Sequence, residues 1–472
     1  MSGPNAASQR RSRFWPVLLS IALAALAVRV AYVAFDKHDE PMIGDQFYYH
    51  VAANRLSNGD GFVEIFNPNP PPLLGTAPAA DHPPLTVIAL APVSAITDES
   101  AIAHRLATAL LGVVVVLLLG VLARELVGDV AGWIAAGIGA FYPNLWVNDG
   151  LVMSETFAAL IVTAALLLGY RLLHRPRMRT AVALGALCGV AALTRAELLL
   201  LVPLLAVPAA LVSRGAARNV RWRMAGASSG AAIMLIAPWA IYNLIRFEEP
   251  TFISTNDGIA LLGSNCDSVY YGRDIGLTDL QCVSPDSPGD QSVDSRIYRD
   301  QAIDFVEAHA EWFAVVAAAR VGRTWSLYRP TDMLDYNKGE AREPWITALG
   351  LVAYYPILFF GVAGAIVLWR RRVELWPLLA PAVIVTLASA LTYGQTRFRV
   401  PVEPSLVTLA AVAVAALATR SWPPPREYAD TEMSAPSSAG EAGVKLVAPP
   451  VAQPNPSAAP RPSSGDSAPG SS

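Results

Sequence analysis

Charge is what this 472-residue chain has least of. Asp, Glu, Lys and Arg make up only 15% of it, where a soluble globular protein carries about 25%, and that excludes an ordinary water-soluble domain. Histidine is scarce, with six residues, and cysteine scarcer, with three. No His, Cys or acid spacing forms a recognisable metal-ligand pattern. Internal repeats are absent, which counts against transporter folds built from symmetric halves. A small-residue cleavage site is missing after the first apolar run, so residues 14–35 read as a retained helix rather than a removed signal.

Apolar residues fill the space, at 53% of the chain. Runs of about 20, enough to cross about 30 Å of hydrocarbon, recur at 14–35, 102–123, 129–147, 151–171, 180–195, 197–213, 224–245, 347–369, 374–393 and 400–419. These predict an all-α polytopic membrane protein with about ten transmembrane helices, the 180–213 block being the hardest to divide. A net charge of −3 hides an asymmetry. Arginines cluster at Arg10, Arg11 and Arg13, at Arg171 to Arg179, at Arg214 to Arg223 and at Arg370 to Arg372. With ten spans all four clusters fall on one side, which the positive-inside rule makes cytoplasmic. Both termini are then expected inside, and two long, acid-rich loops, 36–101 and 246–345, outside the cytoplasmic membrane.

Residues 1–13 form a basic lead and 14–419 the membrane domain. Residues 420–472, rich in Pro, Ala, Ser and Gly, cannot bury a core and are expected to be a disordered cytoplasmic tail. The run 85–97 is too short to span and predicts an interfacial or re-entrant helix in the first loop. The second loop is too long for plain connector and should hold small structure of its own. Cys266 and Cys282 share it, where an oxidising compartment favours a disulfide over a metal site. Cys188 reads as a buried small hydrophobe.

Directly after the first apolar run comes Gly44-Asp45-Gln46-Phe47-Tyr48-Tyr49-His50. A carboxylate at a bilayer edge is costly unless it binds or reacts with something, and the aromatic flank of Asp45 is built to pack. Asp36, Asp39 and Glu40 read instead as solvated or capping acids, and Arg29 and Arg105 as snorkelling or paired with loop carboxylates. Asp45, His82, Asp149, Glu155, Arg195, Asn243, Arg246, Arg397, Arg399 and Glu403 all fall near the outer ends of helices and could line one cavity. Acids set among arginines suit a reaction that deprotonates one partner while stabilising an anionic, phosphate-like leaving group.

Together these passages resemble the GT-C membrane glycosyltransferases related to protein O-mannosyltransferases and to the lipid A aminoarabinose transferase. Gly44 to His50 resembles the family's acidic first-loop motif. Asp81-His82-Pro83-Pro84-Leu85 resembles its His-Pro-Pro turn before an interfacial helix, and Ser154-Glu155-Thr156 opens a helix at the outer side. Leu193-Thr194-Arg195-Ala196 resembles its Leu-Thr-Arg helix end. Ala237 to Asn243 with Ser254 to Gly258 and Leu262 to Asn265 resembles its Pro-Trp…Asn boundary and following loop. Arg397-Phe398-Arg399-Val400-Pro401 resembles the closing Arg-Tyr/Phe-Arg-x-Pro motif. No motif is specific alone; their order, spacing and shared side carry the match over about 14–419. The loop from Asn265 through Cys282 looks like an actinobacterial version, in keeping with Ala-rich helices and an excess of Arg over Lys. Gln46 departs from the two adjacent acids common among relatives, leaving Asp45 as sole candidate base in the motif.

The resemblance implies a transferase moving a monosaccharide from a polyprenyl-phosphate donor to an acceptor hydroxyl on a glycan, lipid or protein, at the outer face and with inversion. It makes Asp45 the general base, gives Arg195, Arg397 and Arg399 the donor phosphate, and assigns Tyr49, His82, Glu155, Asn243 and Asn265 to sugar or acceptor. No cofactor is certain, a divalent cation is possible at Glu155 and His82, and no nucleic-acid partner is expected. The competing reading is a transporter or flippase of lipid-linked sugars, which needs the arginines but not Asp45 as a base. Titratable residues gathered at one face, rather than the midplane, argue against it.

Overall fold

A computed structural model describes residues 6–65, 77–283 and 289–419, with side chains from residue 13 onward. The expected basic lead lies mostly, and the expected disordered tail at 420–472 wholly, outside the described residues. The chain divides into units of Met1–Pro425 and Arg426–Ser472, and only the first is described below.

Among the described residues there are helices and a single isolated β-bridge, Val63 to Pro78. In chain order the helices are α1 Ala6–Phe35, α2 Asp45–Ser57, α3 Leu85–Thr97, α4 Ala101–Val127, α5 Asp129–Phe141, α6 Pro143–Asp149, α7 Ser154–His174 and α8 Met178–Ala192. There follow α9 Val207–Leu211, α10 Arg218–Arg246, α11 Asn256–Leu262, α12 Asp267–Tyr270, α13 Gln291–Ala308 and α14 Ala310–Thr324. The last are α15 Met333–Tyr336, α16 Pro344–Arg370, α17 Trp376–Leu391 and α18 Glu403–Thr419.

Six stretches are long and apolar enough to cross a membrane: Arg13–Phe35, α4, α7, α10, α16 and Thr396–Thr419. A seventh span is broken, α5 and α6 meeting at 58°. The break follows from Tyr142, extended at φ −74°, ψ 114° because Pro143 disfavours helix in the residue before it. Each of the ten predicted runs coincides with one of these spans or with a shorter apolar helix, α8, Ala196–Leu211 or α17. Ala196–Leu211 runs from 3₁₀ through a π turn into α9, since Pro203 and Pro208 each remove an N–H donor from the helical ladder. This is a multi-pass helical membrane protein.

Where hydrocarbon surrounds the helices, close backbone approach replaces the hydrophobic drive for association. Gly185 on α8 leaves its face open to the Ser228 carbonyl of α10, where a Cβ would stand 1.9 Å away, and Gly364 on α16 does the same for the Leu409 carbonyl of α18. Two buried cations fasten the first helix. Arg29 donates to Asp149 at 2.8 Å, and Thr156 donates to the same carboxylate at 2.7 Å. Lys37, wholly buried, sits among Asp36, Glu40 and Glu343 and donates to the Ala341 carbonyl at 2.9 Å, tying the end of α1 to the start of α16. Asp36 and Glu40 are thus ion-pair partners rather than merely solvated acids; Asp39 alone is open to water, its side chain 96% exposed. Arg105 pairs with loop backbone, donating to the carbonyls of Lys37 and Glu40.

The loop between α1 and α4 holds α2 and α3, and α2 starts at Asp45 itself. The loop between α10 and α16 carries α11 to α15. There Gly258 of α11 packs directly on Ser295 of α13, and a disulfide joins Cys266 to Cys282. Cys188 is free and buried.

Candidate active site

Gly44 adopts φ +55°, a left-handed conformation that glycine takes without penalty. That residue turns the chain into α2 with its open side against the Gly339 carbonyl, to which a Cβ would stand 3.5 Å away. Asp45 is therefore the first residue of a helix and faces the second long loop. Its Oδ2 accepts from Arg397 Nη1 at 2.7 Å, and its Oδ1 lies 3.4 Å from His82 Nε2. A quarter of the Asp45 side chain stays exposed, so an incoming group can reach it.

The other motifs converge by backbone hydrogen bonds. Leu85 N–H donates to the Leu193 carbonyl at 2.9 Å, which sets the His-Pro-Pro turn against the Leu-Thr-Arg helix end. Gln291 at the start of α13 accepts from Ala80 N–H at 3.1 Å and donates to Asp81 at 3.3 Å. The His82 ring packs at 4.8 Å from Tyr48 and 5.2 Å from Tyr49, centre to centre. Arg195, extended just past α8, donates to Glu155 at 3.2 Å and to Glu197 at 2.7 Å. Its guanidinium lies over the Phe398 ring at 5.1 Å. Arg397, on the 3₁₀ turn Thr396–Val402 before α18, reaches toward Glu155 at 3.9 Å and toward Glu340 at 3.0 Å.

Asp45, Tyr49, His82, Glu155, Arg195 and Arg397 thus form one cluster. Four predicted residues lie elsewhere. Arg399 is buried, pairs with Glu403 at 2.7 Å, stacks 3.5 Å over Tyr354 and donates to the Thr324 carbonyl at 3.2 Å. All of this fixes the root of α18. Asn243 accepts from Arg246, whose other bonds hold the carbonyls of Phe62 and Ala79, so it braces the first long loop. Asn265 accepts from Arg320 at 2.9 Å inside the second. Asp149, expected near the cavity, is bound to Arg29 in the helix core.

Sequence reasoning missed Glu340, which shares Arg397 with Asp45. It belongs to no motif, and no spacing marks it out. Gln46 had been read only as a missing acid. Its side chain donates to the Glu340 carbonyl at 3.2 Å.

The charges set one another. Burial alone would lift Asp45, but Arg397 and then His82 hold its carboxyl far below the usual range, so it is ionised at neutral pH. Burial would lower His82, and Asp45 overrides that and raises it. Burial raises Glu340, offset only in part by Arg397 and reinforced by Asp45. As to a cation, Asp36, Glu40 and Glu343 present carboxylate oxygens within 4.8 Å of one another. The Lys37 ammonium already supplies the positive charge there, and Glu155 already faces Arg195, so neither set fits a resident divalent ion.

Comparison with known structures decides the architecture. The archaeal oligosaccharyltransferase AglB from Archaeoglobus fulgidus, in complex with an inhibitory peptide and a dolichol-phosphate, superposes with a TM-score of 0.53 over 86% of this chain and 50% of its own, at 16% identity. The fold is that of the GT-C glycosyltransferases. The apo form of the same oligosaccharyltransferase gives a TM-score of 0.52 at 16% identity, over 86% and 51% of the two chains. The chain therefore spans about half the length of those proteins. ArnT from Cupriavidus metallidurans bound to undecaprenyl phosphate gives 0.39 at 17% identity, over 86% and 78%. Residues 81–242 match the dolichyl-phosphate-mannose-protein mannosyltransferase family. No curated protein matches the chain significantly.

Proposed function

We propose that the protein transfers a monosaccharide from a polyprenyl-phosphate donor to an acceptor hydroxyl, at the outer face of the membrane. The observation that carries this reading is an ionised, part-exposed Asp45 bound directly to Arg397, with Arg195 joined to the same cluster through Glu155. The reaction needs a base and phosphate-binding groups around one reacting carbon, and this cluster holds a carboxylate and two guanidiniums together.

In that reaction Asp45 takes the proton of the acceptor hydroxyl as its oxygen bonds to the anomeric carbon. The bond from that carbon to the lipid phosphate breaks, and the phosphate leaves with the electron pair. Attack from the face opposite the phosphate inverts the centre through an oxocarbenium-like transition state. Arg397 and Arg195 stabilise the developing phosphate charge, since guanidinium matches phosphate oxygens in a bidentate way. His82 holds Asp45 oriented, and the buried Tyr49 forms the wall beside it. The dolichol-phosphate of the AglB structure and the mannosyltransferase match over 81–242 favour this donor class.

Purified Asp45→Asn protein, supplied with a polyprenyl-phosphate sugar, is expected to keep donor binding and lose transfer by about 10²-fold or more. Unimpaired transfer by this variant would remove Asp45 from the mechanism. Donor translocation without transfer by the unaltered protein in proteoliposomes would establish the transporter reading in its place.

A further inference from the structure

Two carboxylates share one nitrogen of Arg397. Nη1 lies 2.7 Å from Asp45 Oδ2 and 3.0 Å from Glu340 Oε1. They are held differently. Asp45 has His82 on its other oxygen, whereas Oε2 of Glu340 is buried with no hydrogen-bond partner. A buried carboxylate oxygen left unpaired loses the free energy of its missing hydrogen bond, so Glu340 is the weaker ligand of the two.

Its position is nevertheless built rather than incidental. The turn from Asn337 to Arg342 is pinned at three successive residues. Gln46 donates to the Glu340 carbonyl at 3.2 Å, Lys37 donates to the Ala341 carbonyl at 2.9 Å, and Arg342 donates to Asn148 at 2.6 Å. Gly44 gives the turn room, its missing Cβ facing Gly339 and the Glu340 carboxylate. The turn is held at these points, and the Glu340 side chain, 17% exposed, meets Arg397 through one oxygen only.

Resting on the proposed function, we infer that Glu340 is a displaceable stand-in for the donor's phosphate: it occupies Arg397 in the empty enzyme and yields that place when a lipid phosphate binds. The stand-in keeps a strong guanidinium from remaining buried and half-paired before substrate arrives. It also lowers affinity for any phosphate that cannot outcompete it, so product lipid phosphate is released as Glu340 returns. Asp45, held by His82 as well, stays in place as base throughout.

The test measures binding of farnesyl phosphate to the full chain in detergent, with farnesol as the phosphate-free control. Glu340→Gln removes the competing charge and is expected to bind farnesyl phosphate about tenfold more tightly, because the binding-competent fraction rises. Farnesol binding should not change. Glu340→Asp keeps the charge on a shorter arm and is expected to fall between the two. In turnover, Glu340→Gln should lower KM for the donor without raising kcat. A structural role would instead weaken binding and lower thermal stability in both variants, and that result overturns the inference. So does equal affinity of unaltered protein and Glu340→Gln, provided Arg397→Gln abolishes binding; in that case the proposed function stands and only the stand-in role is lost. If farnesyl phosphate binds no better than farnesol to any of them, the proposed function falls and this inference with it.

Discussion

A histidine that shares a carboxylate with an arginine titrates in a direction set by which neighbour dominates. For His82 the carboxylate wins, and its pKa rises above the ordinary 6.5. A group raised on folding contributes stability that is whole below its unfolded pKa and is lost as pH rises through the folded one. For Asp45 the sign is opposite: its depressed value gives a contribution present above the usual 3.8 and lost only as acid protonates it. In the alkaline direction the pair therefore fails at His82 while Asp45 stays charged. The thermal midpoint should decline as pH passes 6.5 and continues upward, with part of that decline absent in His82→Gln. An identical pH profile for both proteins, followed by differential scanning fluorimetry, would contradict the pairing. Burial also raises Glu340 beside its neighbour Asp45, so the first proton taken up by these two acids goes to Glu340 and leaves Asp45 ionised.

At the scale of elements, buried ion pairs and glycine contacts decide which helices stand together. Arg29→Ala would strand Asp149 in the core with only Thr156 as partner, and breaking a buried pair in this way costs about 3–5 kcal/mol. A drop in midpoint is expected by the same assay, smaller for Arg29→Lys than for Arg29→Ala. Gly185→Leu places carbon where the Ser228 carbonyl already is. It should push α8 from α10 and lower the yield of monodisperse protein, whereas Gly230→Leu, at an open face of α10, should not. Much at this scale was legible in the sequence. The spans showed as apolar runs, whereas the break at Tyr142-Pro143 falls inside the run 129–147, which reads as one span. The first-loop helices were only half legible: α3 followed from the run 85–97, whereas α2, which starts at Asp45 where Gly44 turns the chain, has no apolar run to mark it. Arg399 is a related case. It shares a motif with Arg397 two residues away, and on a 3₁₀ turn those two side chains leave in different directions, one to the cluster and one to Glu403. Glu340 was not legible at all, since its role depends on a tertiary contact between two loops almost three hundred residues apart.

For the whole molecule, the question is which face of the membrane holds the cluster. Arginine bias assigns the Arg171 to Arg179 loop to the cytoplasm, and an even number of crossings between it and the other basic clusters is what sends Asp45 to the far side. Three of the ten runs, α8, Ala196–Leu211 and α17, fall at or below the usual minimum of about 17 residues for a crossing, but all three follow the Arg171 to Arg179 loop, so the side of Asp45 relative to that loop rests on α4, the broken α5–α6 span and α7. The chain's own cysteines make the test clean, because Cys188 is buried and Cys266 and Cys282 are bonded to each other. A single cysteine introduced at Asp39, on the open side of the α1–α2 turn, should react with a membrane-impermeant maleimide in intact cells. A cysteine at the exposed Arg177 should react only after permeabilisation. The opposite pattern, Arg177 labelled in intact cells and Asp39 only after permeabilisation, would mean that the arginine bias assigns the faces the wrong way round. Asp45, the arginines and Glu340 would then face the cytoplasm, and the proposed donor would have to be met on that side.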